Sequence, residues 1–465
     1  MDRELEIAKS IKAGTFELIC PEMELLTWDA GVALKGTGVL HADSLGRLFF
    51  RLIAPFAGKP HESLRPQKRA GEMYRLEDHL ILRAIDERGR EWRSNRMIVN
   101  ESRSLPVPNY AIRKRIGTVA HWRKWPKKIG RSHIRILIPG CPPLPFDMTT
   151  QSRKTVGERE IGKSWSRDHH TRQIGGTEVC FRQEGDRWLS VSASQEQSLM
   201  PTWPGLMRQA LEFATVQEMN PVVITRVYDD SEELSLHSGP FWRFESQMPP
   251  PVDTTADGGA RAFWGLVEAV FRYLDVREGD DMPLLDELQG IRRGAQGSFE
   301  TACLTLGVGI ESIAKLLLTD EPVHAVPPGV IQALIEHIDS WPGDARVKER
   351  AKGTVSRLGD TSAADRLYEW AARSGASKGL VDGWKRIRHP KAHGGTVGEE
   401  QSGLDLYYSC VELLYRIIAT AIAYDGPILP TSQRGWGLDS EVESTEDTIS
   451  ATDDEKAPPA QKSFN

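Results

Sequence analysis

The sequence predicts an α+β chain in two parts, a mainly antiparallel β half followed by an all-helical bundle. Three observations carry this. Up to about residue 245, short alternating or apolar runs recur between glycine and polar turns, the period-2 mark of half-buried strands. At Met248-Pro-Pro-Pro-Val-Asp-Thr-Thr, consecutive prolines end either kind of element and make a stiff linker. Beyond it the apolar spacing switches to the helical period.

In the first half, the runs Thr15–Cys20, Val32–Leu40, Leu48–Ile53, Leu80–Asp86, Ile134–Ile138, Val179–Phe181 and Val222–Tyr228 read as strands. Asp43-Ser-Leu-Gly turns the second run into the third as a hairpin. No regular helical period separates the strands, which argues against a parallel α/β sheet. The expectation is a twisted antiparallel sandwich or barrel-like sheet with one helical insertion near Leu206–Gln217. In the second half, Phe263, Leu266, Val267, Val270, Phe271 and Leu274 form one apolar stripe, and Cys303, Leu306, Ile310, Ile313, Ala314 and Leu317 another. Helices should follow near Gly329–Ser340, Ala345–Leu358, Ala363–Ala372, Lys378–Arg388 and Leu404–Tyr424, completing a bundle. The boundaries read as a β-rich domain over 1–247, the Pro-rich linker over 248–258, the bundle over 259–426 and a tail over 427–465. From Leu438 the tail is rich in Ser, Thr, Glu and Asp and should be disordered.

Composition bounds the function classes. With 465 residues, 39% hydrophobic and 27% charged, the chain can bury two or three cores. No run of about 18 uncharged apolar residues suggests a membrane span, and the acidic N-terminus does not read as a secretory signal. Five scattered cysteines without a Cys-x-x-Cys fit reduced thiols, so a cytoplasmic protein is expected. The net charge of −6 hides an asymmetry, because residues 439–455 hold eight acids and no base; setting them aside leaves +2. Residues 102–135 hold ten Lys/Arg and no acid, interleaved with Tyr110, Trp122 and Trp125. Cations meet phosphates and flat rings stack on bases, so Arg123, Lys124, Lys127 and Lys128 are candidate nucleic-acid contacts. A solvated basic loop with inward-packed tryptophans is the competing reading.

The most informative segment is Arg388-His-Pro-Lys-Ala-His393-Gly394. An arginine fork grips a phosphate, and a neutral imidazole takes a proton from a ribose hydroxyl. Those two groups suffice in principle to cut RNA without a metal, although roughly one Arg–His pair at this spacing is expected by chance in such a chain. Context adds weight. Leu380, Trp384 and Ile387 share one helix face, which Arg388 borders. Pro390 should fray or kink the helix at His389, and that break helps, since an unbroken helix would set Arg388 and His393 about 140° apart.

A helical bundle with Arg, four residues, then His before a final long helix resembles the HEPN ribonuclease superfamily. His389 fills the polar place after the arginine. The helix holding Gly309-Ile-Glu-Ser-Ile-Ala-Lys resembles the family's second conserved helix, with Glu311 at its acidic position. The β half followed by a bundle resembles the ApeA-like branch, associated with bacterial antiphage defence and abortive infection. The resemblance covers about 261–423. It implies His393 as general base or acid, Arg388 as the group holding the scissile phosphate, and Glu311 and His389 as orienting residues. It implies attack by the RNA's own 2′-hydroxyl without a cofactor, on tRNA or other cellular RNA, in a homodimer restrained until a phage-derived trigger arrives. Arg386 is a second candidate for the family arginine, and Lys391 an added RNA contact. The alternatives are a non-catalytic RNA- or protein-binding dimerisation module, with the basic Arg113–Arg135 stripe as the binding surface, and an activity masked by the acidic tail.

Two other patterns carry less. Gly157-Glu-Arg-Glu-Ile-Gly-Lys163-Ser164 matches the phosphate-loop spacing, but no buried strand precedes it, no helical stripe follows, and its two acids would repel a triphosphate. His169-His170…Cys180 lacks further ligands at metal spacing and reads as surface histidines beside a turn.

Overall fold

The computed structural model describes residues 2–55, 75, 78–99, 103–104, 109–124, 131–156, 159–185, 187–196, 199–239, 241, 248–277, 283–319, 326–359, 362–392 and 400–431. The acidic tail, Trp125, Lys127, Lys128 and His393 lie outside them.

The chain opens with a helix that strand reading passed over, α1 (Arg3–Ala13). Asp2 caps it by accepting from the Glu4 and Leu5 amides, and Gly14, at φ 71°, ends it in the left-handed conformation. These signals are in the sequence; only the short length hid them. Eight strands follow: β1 (Glu17–Leu26), β2 (Val32–Ala42), β3 (Leu48–Pro55), β4 (Ile81–Ile85), β5 (Glu91–Ser94), β6 (Arg103–Ser104), β7 (Asn109–Arg115) and β8 (Thr118–Lys124). Then come β9 (Ser132–Pro139), β10 (Met148–Val156), β11 (Arg159–Ile174), β12 (Thr177–Glu184), β13 (Trp188–Gln195), α2 (Trp203–Thr215), β14 (Val223–Val227) and β15 (Ser231–His237).

The described strands join in one antiparallel sheet of order β10-β11-β12-β13-β9-β14-β15-β8-β5-β4-β1-β2-β3-β7-β6. The expected β2–β3 hairpin forms, with Gly46 at φ 71° in its turn. The sheet serves two cores. Cys20, Met23, Leu25, Phe50, Leu52 and Trp92 close the first together with Ala8 and Ile11 of α1. Strand β9 lies between the two: Ile134, Ile136 and Ile138 face the second core, and Leu137 faces the first.

The second core is continuous with the helical half. That half comprises α3 (Gly259–Asp275), α4 (Pro283–Gly294), α5 (Phe299–Leu317), α6 (Pro328–Ser340), α7 (Ala345–Val355), α8 (Ala363–Ser374), α9 (Lys378–Ala392) and α10 (Glu400–Ala421). The α3 stripe packs Phe263, Trp264, Val267 and Phe271 into the same cluster as Phe181, Val191 and Leu211 of the sheet and α2. Each such side chain contributes about 1.5–3 kcal/mol by leaving water. Ion pairs fix the junction, Arg172 with Glu268 at 2.7 Å and Arg292 with Glu212 at 3.1 Å. The Pro-rich segment is itself packed: Met248 and Val252 are buried, and Tyr415 Oη donates to the Pro249 carbonyl at 2.7 Å.

One local reading holds and one changes. Lys163 and Ser164 lie on β11, paired with Arg153 and Ser152 of β10, so the phosphate-loop spacing sits in a β-hairpin with no helix after it. His170 is not a surface histidine beside a turn. It is buried on β11, stacked on Trp264 at 4.3 Å between ring centroids, with Nδ1 2.7 Å from Asp147 Oδ1. Among the described residues no cluster of metal-ligating groups occurs, and no helix is long and apolar enough to cross a membrane.

Candidate active site

Helices α5 and α9 meet where α5 lacks side chains. A β-carbon on Gly307 would lie 3.7 Å from the Arg388 backbone, and Trp384 Nε1 donates to the Gly307 carbonyl at 2.8 Å. That bond orients the indole, and the Arg388 guanidinium lies over its ring at 6.0 Å. The apolar face expected for α9 forms: Leu380, Trp384 and Ile387 are buried.

Glu311, one turn beyond Gly307 on α5, meets Arg388. Arg388 Nε donates to Glu311 Oε2 at 2.6 Å, and its terminal nitrogen lies 2.5 Å from the same oxygen. Lys315 Nζ holds the other oxygen at 2.8 Å. The two roles foreseen for Glu311, partner of the motif and i, i+4 partner of Lys315, therefore coexist in one bridge. Burial alone would raise the Glu311 carboxyl, but hydrogen bonds and charge from Lys315 and Arg388 outweigh it and hold it below the usual range. Glu311 is a fixed anion at neutral pH. Arg388 keeps 32% of its side chain exposed, so its fork is oriented by Glu311 yet open on one side.

Arg386 points outward as an exposed residue of α9. Of the two candidate arginines, Arg388 is the one tied to Glu311. The helix does not stop at His389: α9 runs through His389 and Pro390 to Ala392. Pro390 has no N–H to give the Arg386 carbonyl, so α9 continues past it one backbone hydrogen bond short. The described part of α9 reaches Ala392, the residue before His393 in sequence. The side chains of His389 and Lys391 are not described.

Among the described residues of the basic stretch, the cations divide between exposed and engaged positions. Arg123 and Lys124 are exposed on β8, in register with Glu232 and Ser231 of β15. Trp122 beside them is 53% exposed and stacks on Tyr228. Arg113 lies on β7, over the Phe49 ring. Arg135 is turned inward, bonded to Asp2 at 2.5 Å, Glu4 at 3.0 Å and Glu184 at 2.8 Å. It anchors α1 to the sheet and is lost from the binding stripe, because three carboxylates already hold it.

Arg208, Arg226 and His237 line one cavity that motif reading missed. They come from α2, β14 and β15, and nothing in their sequence spacing signals the meeting. Comparison with protein-family models, curated proteins and solved structures gave no match to this chain.

Proposed function

We propose that the chain is an endoribonuclease acting without a metal, with Arg388 and His393 as its catalytic pair. The observation that carries the reading is the Glu311–Arg388 bridge directly before His393: a buried-edge anion presents an arginine fork that stays partly open. In this mechanism His393 takes the proton of a ribose 2′-hydroxyl. The 2′ oxygen bonds to phosphorus, and the bond to the 5′ oxygen breaks as that oxygen takes up a proton. The products are a 2′,3′-cyclic phosphate and a 5′-hydroxyl. Arg388 holds the phosphate and offsets charge that grows in the transition state. His389 orients RNA or His393, and Arg386, Lys391, Arg123, Lys124, Lys127 and Lys128 supply further phosphate contacts. Two copies pair so that two motifs share a cleft. The β half restrains activity until a trigger, phage-derived in a defence or toxin role, is met in the cytoplasm.

Purified full-length chain should cut tRNA or other RNA in the presence of a chelator, leaving 5′-hydroxyl ends, and His393→Ala should abolish the cut. Undiminished cleavage by that variant, or strict dependence on a divalent metal, would sink the mechanism. The full engagement of Arg388 Nε by Glu311 favours a second reading, a non-catalytic binding and dimerisation module. RNA affinity without cleavage under any trigger would select it.

A further inference from the structure

A second site lies away from the helical motif, in a cavity of about 570 Å³ open to solvent between α2 and the β14–β15 hairpin. Arg226, Arg208 and His237 line it. Arg226 spends one terminal nitrogen on Glu233 at 3.3 Å and the other on the Pro201 carbonyl at 3.5 Å, while its Nε is buried and has no partner among the described residues. Arg208 reaches Glu212 at 3.4 Å, a carboxylate that Arg292 also holds. The two cavity arginines are thus each paired with one carboxylate, and the one that holds Arg208 is shared with Arg292.

His237 sits in the field of both cavity arginines. Burial, then Arg226 and Arg208, push its imidazole down to about 4, so the ring is neutral at physiological pH. Nδ1 lies 3.4 Å from the Thr118 hydroxyl, and Nε2 is buried without a partner among the described residues. With Nδ1 accepting from Thr118, the ring proton sits on Nε2 as a donor. Thr202, Pro204 and Gly205 bring the first turn of α2 to the cavity wall, and that turn adds no acidic side chain, although Pro204 has no N–H and the Gly205 amide is given to the Thr202 carbonyl. Pro201, Pro221, Leu206 and Ile224 supply apolar wall.

We propose that this cavity binds a small phosphorylated molecule. Its phosphate is held by Arg226, Arg208 and His237, and its carbon skeleton lies against the prolines and Ile224. Three donors converging from separate elements suit the three terminal oxygens of a phosphomonoester better than the two of a carboxylate. The volume, within the usual range for ligand sites, leaves room for a sugar beyond the phosphate. An anion here competes with Glu212 for Arg208, so occupancy is felt at the Glu212–Arg292 pair that joins sheet to bundle.

The test is calorimetric titration of the full-length chain with inorganic phosphate, ribose 5-phosphate and acetate at constant ionic strength. Ribose 5-phosphate should bind saturably and at least several-fold tighter than phosphate, with acetate weakest. Arg226→Gln should weaken it tenfold or more, and Arg93→Gln, on the exposed face of β5, should not. Glu233→Gln frees Arg226 and should tighten binding several-fold, a gain that misfolding cannot mimic. The proposal is overturned by absent saturation, by acetate binding as tightly as the phosphates, by ribose 5-phosphate no tighter than phosphate, by Arg226→Gln retaining affinity, or by Glu233→Gln failing to raise it. None of these outcomes depends on whether the chain cuts RNA.

Discussion

Glu311 carries two cations on one carboxylate, and its ionisation sets how Arg388 is held. Its folded pKa is lowered from a reference of 4.5. The stability this gives is therefore fully present above about pH 4.5 and lost as pH falls through the lower folded value. Glu311→Gln keeps the shape and removes the charge. It should cost ~1 kcal/mol at pH 7, since both partners are partly solvated. In urea titrations the gap between wild type and variant should close below pH 4.5. A gap unchanged in acid would show that the charge is not its source. In the proposed enzyme the same substitution should lower RNA cleavage about tenfold, less than His393→Ala. Sequence showed Glu311 and Arg388 as separate candidates, because a separation of 77 positions hides the contact that side-chain reach across two helices creates.

At the scale of elements, the close approach of α5 and α9 depends on Gly307. An added methyl there meets Arg388 and Ile387 at 3.7–3.8 Å, ordinary contact distance. Gly307→Ala should stabilise the chain by about 0.5–1 kcal/mol, since alanine restricts the unfolded chain and favours helix. Gly307→Leu has no such room and should push α9 off α5, lowering the melting temperature and parting Arg388 from Glu311. Equal melting temperatures for the two variants would contradict this packing. The helices with clear apolar stripes, α3, α5 and α10, were legible from period alone, because one-sided burial imposes the spacing. α4 was not, its short run being dominated by charge. Strands β10 and β11 were hidden for the same reason: Met148–Val156 and Arg159–Ile174 are largely polar, and mutual pairing is what makes them strands. At Pro390 the expected end of the helix did not come, and α9 continues to Ala392.

For the whole molecule, the shared core makes the sheet and the bundle one folding unit. Phe263, Trp264 and Phe271 of α3 are buried partly by Phe181, Val191 and α2. Residues 248–465 expressed alone would expose that face, an apolar patch of the kind that drives aggregation. Calorimetry of the full chain should give one cooperative transition, and the fragment should be insoluble or melt at least 10 °C lower. Two well-separated transitions would mean that the halves fold independently.

The sequence by itself determined the α+β class, the switch from period 2 to period 3.6 at the prolines, and the helix stripe that carries Trp384, Ile387 and Arg388. Those features are local, written in the alternation of apolar and polar residues along short stretches of chain. Only the tertiary structure decided that Arg388 meets Glu311, that Arg135 is spent on α1, that His170 lies under Trp264, and that Arg208, Arg226 and His237 converge. Sheet register and helix crossing set those meetings, and neither leaves a trace in the spacing of the residues they join.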